Sequence, residues 1–353
     1  MTFKLIRNAY EAGLTMAAVL LCWGCALALE GAAGLHTDVL VLAFALTMTL
    51  ASTQRTADTR RRLTALLLLP LTAGASIFVG RLIASHYAIG AAVFSAGMAL
   101  AIWIRRYGPA ATKAGTLIAL PLVALLVVPG PALPPEAQSG LVTWGWAALV
   151  GAMACAVVWL VQGLGDRFGP WRPDPAPAPS PPRRSRLHPR PSTRMALQMA
   201  AGIAVAFALG HLLFDDHWPW VVLTVYVAAS GNRGRTDVLR KGIERVVGAC
   251  AGTLLATGVA AAGVTGHLAV ALMFGVLTIA LWLRPLRYAY WAAGVTCALS
   301  LLLGYFGQNA QHFLPTRLEA IAVGAALSVA SAWWLLPIPK RPAAIAARLT
   351  PSS

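Results

Sequence analysis

Long apolar stretches alternate with short polar ones along the whole chain, and this alternation sets the elements. Twelve apolar segments stand at roughly 12–30, 37–53, 63–83, 86–104, 112–129, 141–163, 195–213, 217–231, 243–262, 266–283, 288–306 and 316–336. A helix that crosses hydrocarbon needs about 20 predominantly apolar residues, and several segments lie near the lower limit. The pattern predicts an all-α polytopic membrane protein with about 12 transmembrane helices.

The pattern breaks once. Residues 166–194 read DRFGPWRPDPAPAPSPPRRSRLHPRPSTR, a stretch too rich in proline and arginine to pack a core. It is expected to be an extended cytoplasmic linker. Six apolar segments precede it and six follow. An even number of crossings gives both halves the same orientation, so two parallel six-helix repeats are expected. The division is then 1–165 for a first, degenerate membrane repeat, 166–194 for the linker, 195–340 for a second repeat, and 341–353 for a cytoplasmic tail. Faint similarity supports the repeat. LVGAMACAVVWLV (149–161) resembles AVGAALSVASAWWLL (322–336), and STQRTADTRRRL (52–63) resembles SGNRGRTDVLRKGI (230–243). On that register Leu67 takes the place of Arg245, and Trp144 the place of Arg317. The first half therefore reads as a copy that lost its intramembrane charges.

Composition narrows the class. Only 11% of the residues are charged and 58% are hydrophobic, whereas soluble domains carry about a quarter charged residues. A formal net charge of +16 raises the question of a nucleic-acid partner, but placement answers it. With the loops numbered alternately from the inside, all of the 28 basic residues except Arg81 and Arg317 fall on one side. That is the positive-inside pattern of a plasma (inner) membrane protein with both termini cytoplasmic. The charge orients the chain in the lipid bilayer and does not point to nucleic acid. The amino-terminal run, with Lys4 and Arg7 before it, reads as an uncleaved first helix, not a signal peptide.

The topology is testable by cysteine labelling. In a cysteine-free background, a cysteine at Gln308 is expected to react with an impermeant reagent in intact cells. A cysteine at Ser180 is expected to react only after the membrane is opened. Labelling of position 180 in intact cells would invert the orientation.

Candidate chemistry is sparse. Cys22-Trp-Gly-Cys25 has a redox or metal spacing but lies in an apolar helix without histidines, so it reads as small packing residues. His211, Asp215, Asp216 and His217 lack a defined metal-ligand spacing. No Ser-His-Asp set, metal motif or phosphate loop is visible. The sequence thus predicts no enzyme, no cofactor and no metal.

The charged residues inside apolar segments stand out. In RTDVLRKGIERVVGACAGTLLATG (235–258), Asp237 with Lys241 and Arg240 with Glu244 are spaced to pair along a helix. Gly248 and Gly252 form a small-xxx-small face for close helix packing, and Arg245 lies on that face. Glu244 lies about 100° away around the helix, so Arg245 needs a partner from elsewhere. The bland alternative is an arginine that snorkels to headgroups. Arg317 repeats the pattern from the outer side, on a face with Gly324 and Ser328. Glu319, two residues on, is a candidate proton-coupling group, because burial raises a carboxyl pKa. Arg284, Arg287, Tyr288 and Trp291 in LRPLRYAYWA (283–292) form either a headgroup anchor or a basic, aromatic vestibule for a carboxylate. Together these give a pathway for a small organic anion, with Arg245 near its inner end and Arg317 near its outer end.

IERVVGACAGTLLA, LRPLRYAYWAAGVTCALSLLL and TRLEAIAVGAALSVASAWWLL together resemble the fusaric acid resistance-like family of integral membrane transporters, which is related to the aromatic acid exporters. The resemblance covers roughly 195–340. Arg245, Gly248 and Gly252 match in part an Arg-x-x-Gly-Thr-x-x-Gly element of that family, with Ala249 where threonine is common. Arg284, Arg287 and Tyr288 match its arginine-rich turn, and Arg317 with Gly324 its last span. The resemblance implies proton-driven export of organic anions, often aromatic carboxylates. An anion channel and a membrane protein of structural or assembly role remain as alternatives. The oligomeric state, including a homo-oligomer, stays open.

Overall fold

The computed structural model describes residues 2–33, 38–54, 59–127, 140–170, 191–230, 234–264, 266–305 and 310–335. Among them the regular structure is helical throughout. The helices are α1 (Thr2–Ala33), α2 (Asp38–Gln54), α3 (Thr59–Ser85), α4 (Tyr87–Trp103), α5 (Pro109–Val127), α6 (Gly140–Phe168), α7 (Pro191–Phe214), α8 (Trp218–Ala229), α9 (Arg235–Ala261), α10 (Gly266–Leu283), α11 (Tyr288–Tyr305) and α12 (Ala310–Trp334). Each expected apolar segment falls in one of them. Most of the linker, 171–190, and the tail lie outside the described residues, as do Ser180 and Gln308.

Local chemistry explains the breaks. After α4 the chain tightens into a 3-10 turn and stops at Gly108, whose φ of 115° suits only glycine. Pro109 then opens α5, where its missing N–H costs nothing. Gly234, with φ 152°, plays the same part before α9.

Six described helices are long and apolar enough to cross a membrane, and five shorter apolar helices accompany them. α8 has only 12 residues. At 1.5 Å per residue it rises about 18 Å, well short of the roughly 30 Å of hydrocarbon. It is sheltered by α7 and α12, and its Val221 to Val225 stretch is buried. A short helix is tolerated at membrane depth only where protein covers its ends.

The packing has a pattern that the linear sequence does not display. In the first half α1, α2 and α6 pack together, α3 packs on α5 and α6, and α4 packs on α5. In the second half α7, α8 and α12 pack together, α9 packs on α11 and α12, and α10 packs on α11. The halves meet through α1 with α10 and through α4 with α7, which exchange when the halves are swapped. One core joins Trp23, Leu40, Leu46 and Val158 to Phe274, Leu277 and Cys297. The other joins Phe94 and Met98 to Phe207, Val222 and Ala320. Each half therefore completes a core of the other. The helices also touch at matching places. A Cβ on Gly115 would strike the Ala101 carbonyl, and one on Gly294 would strike Ala280; both members shift by the same number of residues between halves.

Candidate functional site

The site forms where α9, α11, α12 and α8 converge, because small residues let their backbones approach. On α9, Gly242, Arg245, Gly248, Ala249, Gly252, Thr253 and Ala256 are buried and recur at helical spacing. A Cβ on Gly248 would lie 2.5 Å from the Ala289 carbonyl and 2.6 Å from Ala292 Cβ, both on α11. A Cβ on Gly252 would meet the Ala293 carbonyl and Thr296. Gly242 looks toward Ala325 and Val329 of α12 at 3.7 Å. On α12, a Cβ at Gly324 would stand 2.7 Å from the Val221 carbonyl of α8. Ser328 is buried as well, and its hydroxyl donates to the Ala325 carbonyl at 2.7 Å, so it serves the helix and not the site.

This packing encloses two arginines. Arg245 and Arg317 are each only 3% exposed. The Arg317 guanidinium lies over the Trp220 ring, 4.0 Å from its centroid. Its Nη1 donates to Ser300 Oγ at 3.3 Å. Its Nε and Nη2, and the Nε of Arg245, find no hydrogen-bond partner. The hydroxyls of Thr224, Thr253, Thr296 and Tyr288 are buried without partners too. Among the described residues no carboxylate pairs with either one. Arg245 and Arg317 are thus both buried in the packing of these helices, without a carboxylate to neutralise them. An uncompensated buried charge costs several kcal/mol.

The acids nearby are engaged or turned away. Glu244 Oε1 accepts from Arg240 Nε at 2.9 Å, and Asp237 meets Lys241 Nζ at 3.4 Å, the two pairings that the spacing implies. Glu244 Oε2 accepts from the Tyr288 backbone N–H at 2.9 Å. It thus caps the first turn of α11, where N–H groups lack partners and the helix dipole favours an anion. Glu244→Ala should lower stability by about 1–3 kcal/mol, the worth of a hydrogen bond to a charged group. Thermal unfolding of the purified protein measures it, and an unchanged melting temperature would deny the cap.

The remaining candidates do not join this cluster. Glu319 lies on the exposed face of α12. Arg284 and Arg287 are exposed at the turn between α10 and α11, with the Arg284 guanidinium 5.2 Å from the centroid of the half-buried Trp291 ring. Arg284 lines a separate cavity. Leu67, expected as the counterpart of Arg245, is 72% exposed, so the two are not equivalent in the fold. The side chain of Trp144 lies outside the described residues. His211 stacks on Tyr87, with ring centroids 4.3 Å apart.

Sequence reasoning missed Trp220, Thr253, Thr296 and Ser300. Thr296 and Ser300 are spaced to share a face of α11, and Ser300 Oγ donates to the Thr296 carbonyl at 2.9 Å. That spacing of hydroxyls inside an apolar helix was the available signal.

Residues 200–331 match the family model described as fusaric acid resistance protein-like. No curated protein and no solved structure matches the chain. The matched stretch holds every group of the buried cluster, from Trp220 to Arg317. With its membrane-spanning helices, the chain is a multi-pass membrane protein that is similar over residues 200–331 to the fusaric acid resistance protein-like family.

Proposed function

We propose that the protein is a plasma (inner) membrane transporter that exports organic anions, with aromatic carboxylates as the first class to test. The carrying observation is the pair of buried, uncompensated arginines inside the stretch that matches the family. A carboxylate accepts two parallel N–H bonds from one guanidinium, a fit that lysine cannot reproduce. Exclusion of water strengthens the attraction. The Trp220 ring beside Arg317 adds a flat apolar wall of the kind that suits an aromatic acid. A bundle with a purely structural role gains nothing from two unpaired buried charges. The near-complete burial of both arginines favours an occluded carrier site over an open channel.

The twelve helices are read as two parallel repeats around a pseudo-two-fold axis along the membrane normal. The support is the recurrence of six helix pairings in both halves and the exchange of α1–α10 with α4–α7. In this arrangement only the second half carries the arginine cluster.

The test is uptake of labelled aromatic and aliphatic carboxylates into inside-out vesicles, with and without an imposed pH gradient. Saturable, protein-dependent uptake of at least one carboxylate is expected. Uptake of none across the panel would remove the proposal. Proton coupling is proposed for Glu319, an acid of the matched stretch; it is exposed in this structure, so coupling would need a conformation that covers its carboxyl. Glu319→Gln is expected to abolish stimulation by the pH gradient and leave anion exchange intact. Full stimulation in the variant would place the proton elsewhere.

A further inference from the structure

A second polar cavity lies at the end of the bundle that carries the basic residues, on the seam between the two halves. It encloses about 180 Å³. Its walls come from α1, the last turn of α2, α6, and the end of α10 with its turn. Asn8, Glu11, Thr15, Gln162 and Arg284 supply its polar groups. None of these belongs to the arginine cluster.

Gln162 fixes the chemistry. It is only 3% exposed, and its Nε2 donates to the Ala51 carbonyl at 2.9 Å. Ala51 lies in the last four residues of α2, where carbonyls lack a helical partner. That bond settles which end of the amide is which, and it leaves Oε1 as a buried acceptor with no partner. An amide oxygen left unmet in this way calls for an N–H or O–H donor. Glu11 adds a carboxylate on the same wall. Its ion pair is with Arg7 at 3.7 Å, on the half-exposed face of α1. Arg284 adds a guanidinium on the opposite half, and among the described residues it forms no ion pair with Glu11.

Charge selects the ligand class. A metal cation is drawn to Glu11 and Gln162 but repelled by Arg284. A simple carboxylate is drawn to Arg284 but repelled by Glu11. We propose that this cavity binds a small zwitterion: a primary ammonium held by Gln162 Oε1 and Glu11, and an anionic oxyacid group held by Arg284. A free α-amino acid has this chemistry, and so does a phosphatidylethanolamine headgroup. Bound there, the zwitterion bridges α1 and α6 to α10 and ties the halves together. The proposal is independent of the export reading, because it uses different residues on a different seam.

The experiment uses the full-length protein, purified and depleted of lipid, with thermal unfolding as the readout. The soluble probes are L-leucine, 4-methylpentanoate and 3-methylbutylamine, which keep one side chain and separate the zwitterion from each charge alone. The lipid probes are nanodiscs of phosphatidylethanolamine and of phosphatidylcholine, whose quaternary ammonium has no N–H for Gln162. Expected is a rise in melting temperature with L-leucine or with phosphatidylethanolamine that Glu11→Gln and Arg284→Gln each weaken, and none with the amine or phosphatidylcholine; a rise with the carboxylate that both variants keep belongs to the buried arginines. Which of the two acts identifies the source. Glu11→Gln and Arg284→Gln, both at exposed positions that leave folding intact, should each weaken the effect at least about tenfold. Phe78→Leu, at an exposed position outside both sites, should leave it unchanged. The proposal is overturned if neither zwitterion stabilises the protein, if a single-charge probe does so equally through Glu11 and Arg284, or if both Glu11→Gln and Arg284→Gln keep the full response.

Discussion

Arg245→Gln protein reaches the membrane, melts at a higher temperature than the unmodified protein, and exports no measurable anion. The sign of each effect follows from burial. Arg245 is 3% exposed and its Nε is unpartnered. Replacing it by a neutral amide removes a buried, unpaired charge, so the empty protein gains stability. The anion-bound protein loses a charge-assisted pair inside a water-poor site. Loss of one partner from such a pair costs about 3–5 kcal/mol, or roughly a hundredfold to a thousandfold or more in affinity. Arg245→Lys keeps the charge and loses the fork, so it should fold and retain a small fraction of the flux. Gain of stability with loss of function is the signature of a site held ready at a cost. An arginine that merely anchored its helix at the headgroups would behave oppositely, with lower stability and normal flux. Measured together, vesicle transport and thermal unfolding separate the two. Arg317→Gln should act in the same direction, with a further loss of the contacts to Trp220 and Ser300.

Much of this was legible in the sequence, because the relevant signals are periodic. Apolar segment lengths located the helices. Spacing of four residues located the pairs Asp237–Lys241 and Arg240–Glu244. Small residues at helical intervals marked the faces on which Arg245 and Arg317 lie. These are properties of one helix at a time.

What was not legible depends on how helices cross. Arg317 was read as a charge on a small-residue face, but nothing along the chain showed that its guanidinium would lie over Trp220 of α8 and donate to Ser300 of α11. Glu244 was seen to face away from Arg245, but nothing along the chain showed that it would cap α11. Leu67 was aligned to Arg245 by a run of charged neighbours, and a shift of one or two residues around a helix turns a buried position into an exposed one. The cavity of Glu11, Gln162 and Arg284 joins residues from both ends of the chain, and no local pattern links them. Two alanine–glycine contacts, Ala101–Gly115 and Ala280–Gly294, recur at one spacing in the two halves, and they are visible only when the helices are packed.

Gly252→Leu separates α9 from α11 and destroys both the fold of the second half and its activity. The reason is the nature of the neighbour. A Cβ at this position falls on the Ala293 carbonyl and within 2.9 Å of Thr296 Cβ. A backbone carbonyl cannot turn aside as the end of a flexible side chain can, so the helices themselves must part. Overpacking a well-fitted interior costs about 1–3 kcal/mol and occasionally more. Separation here also strips van der Waals contact from Gly248 and disturbs Thr253 and Thr296, which stand beside the arginine cluster. Gly252→Ala should already lower the melting temperature, and Gly252→Leu should drive the solubilised protein to aggregate. Gly258 is the internal control, six residues along the same helix and with nothing within 4 Å of its notional Cβ. Gly258→Leu should be neutral or slightly stabilising, because leucine forms helix better than glycine by somewhat under 1 kcal/mol. If the two leucine variants melt alike and transport alike, α9 and α11 do not make this contact, and the small-residue face of α9 looks instead at lipid.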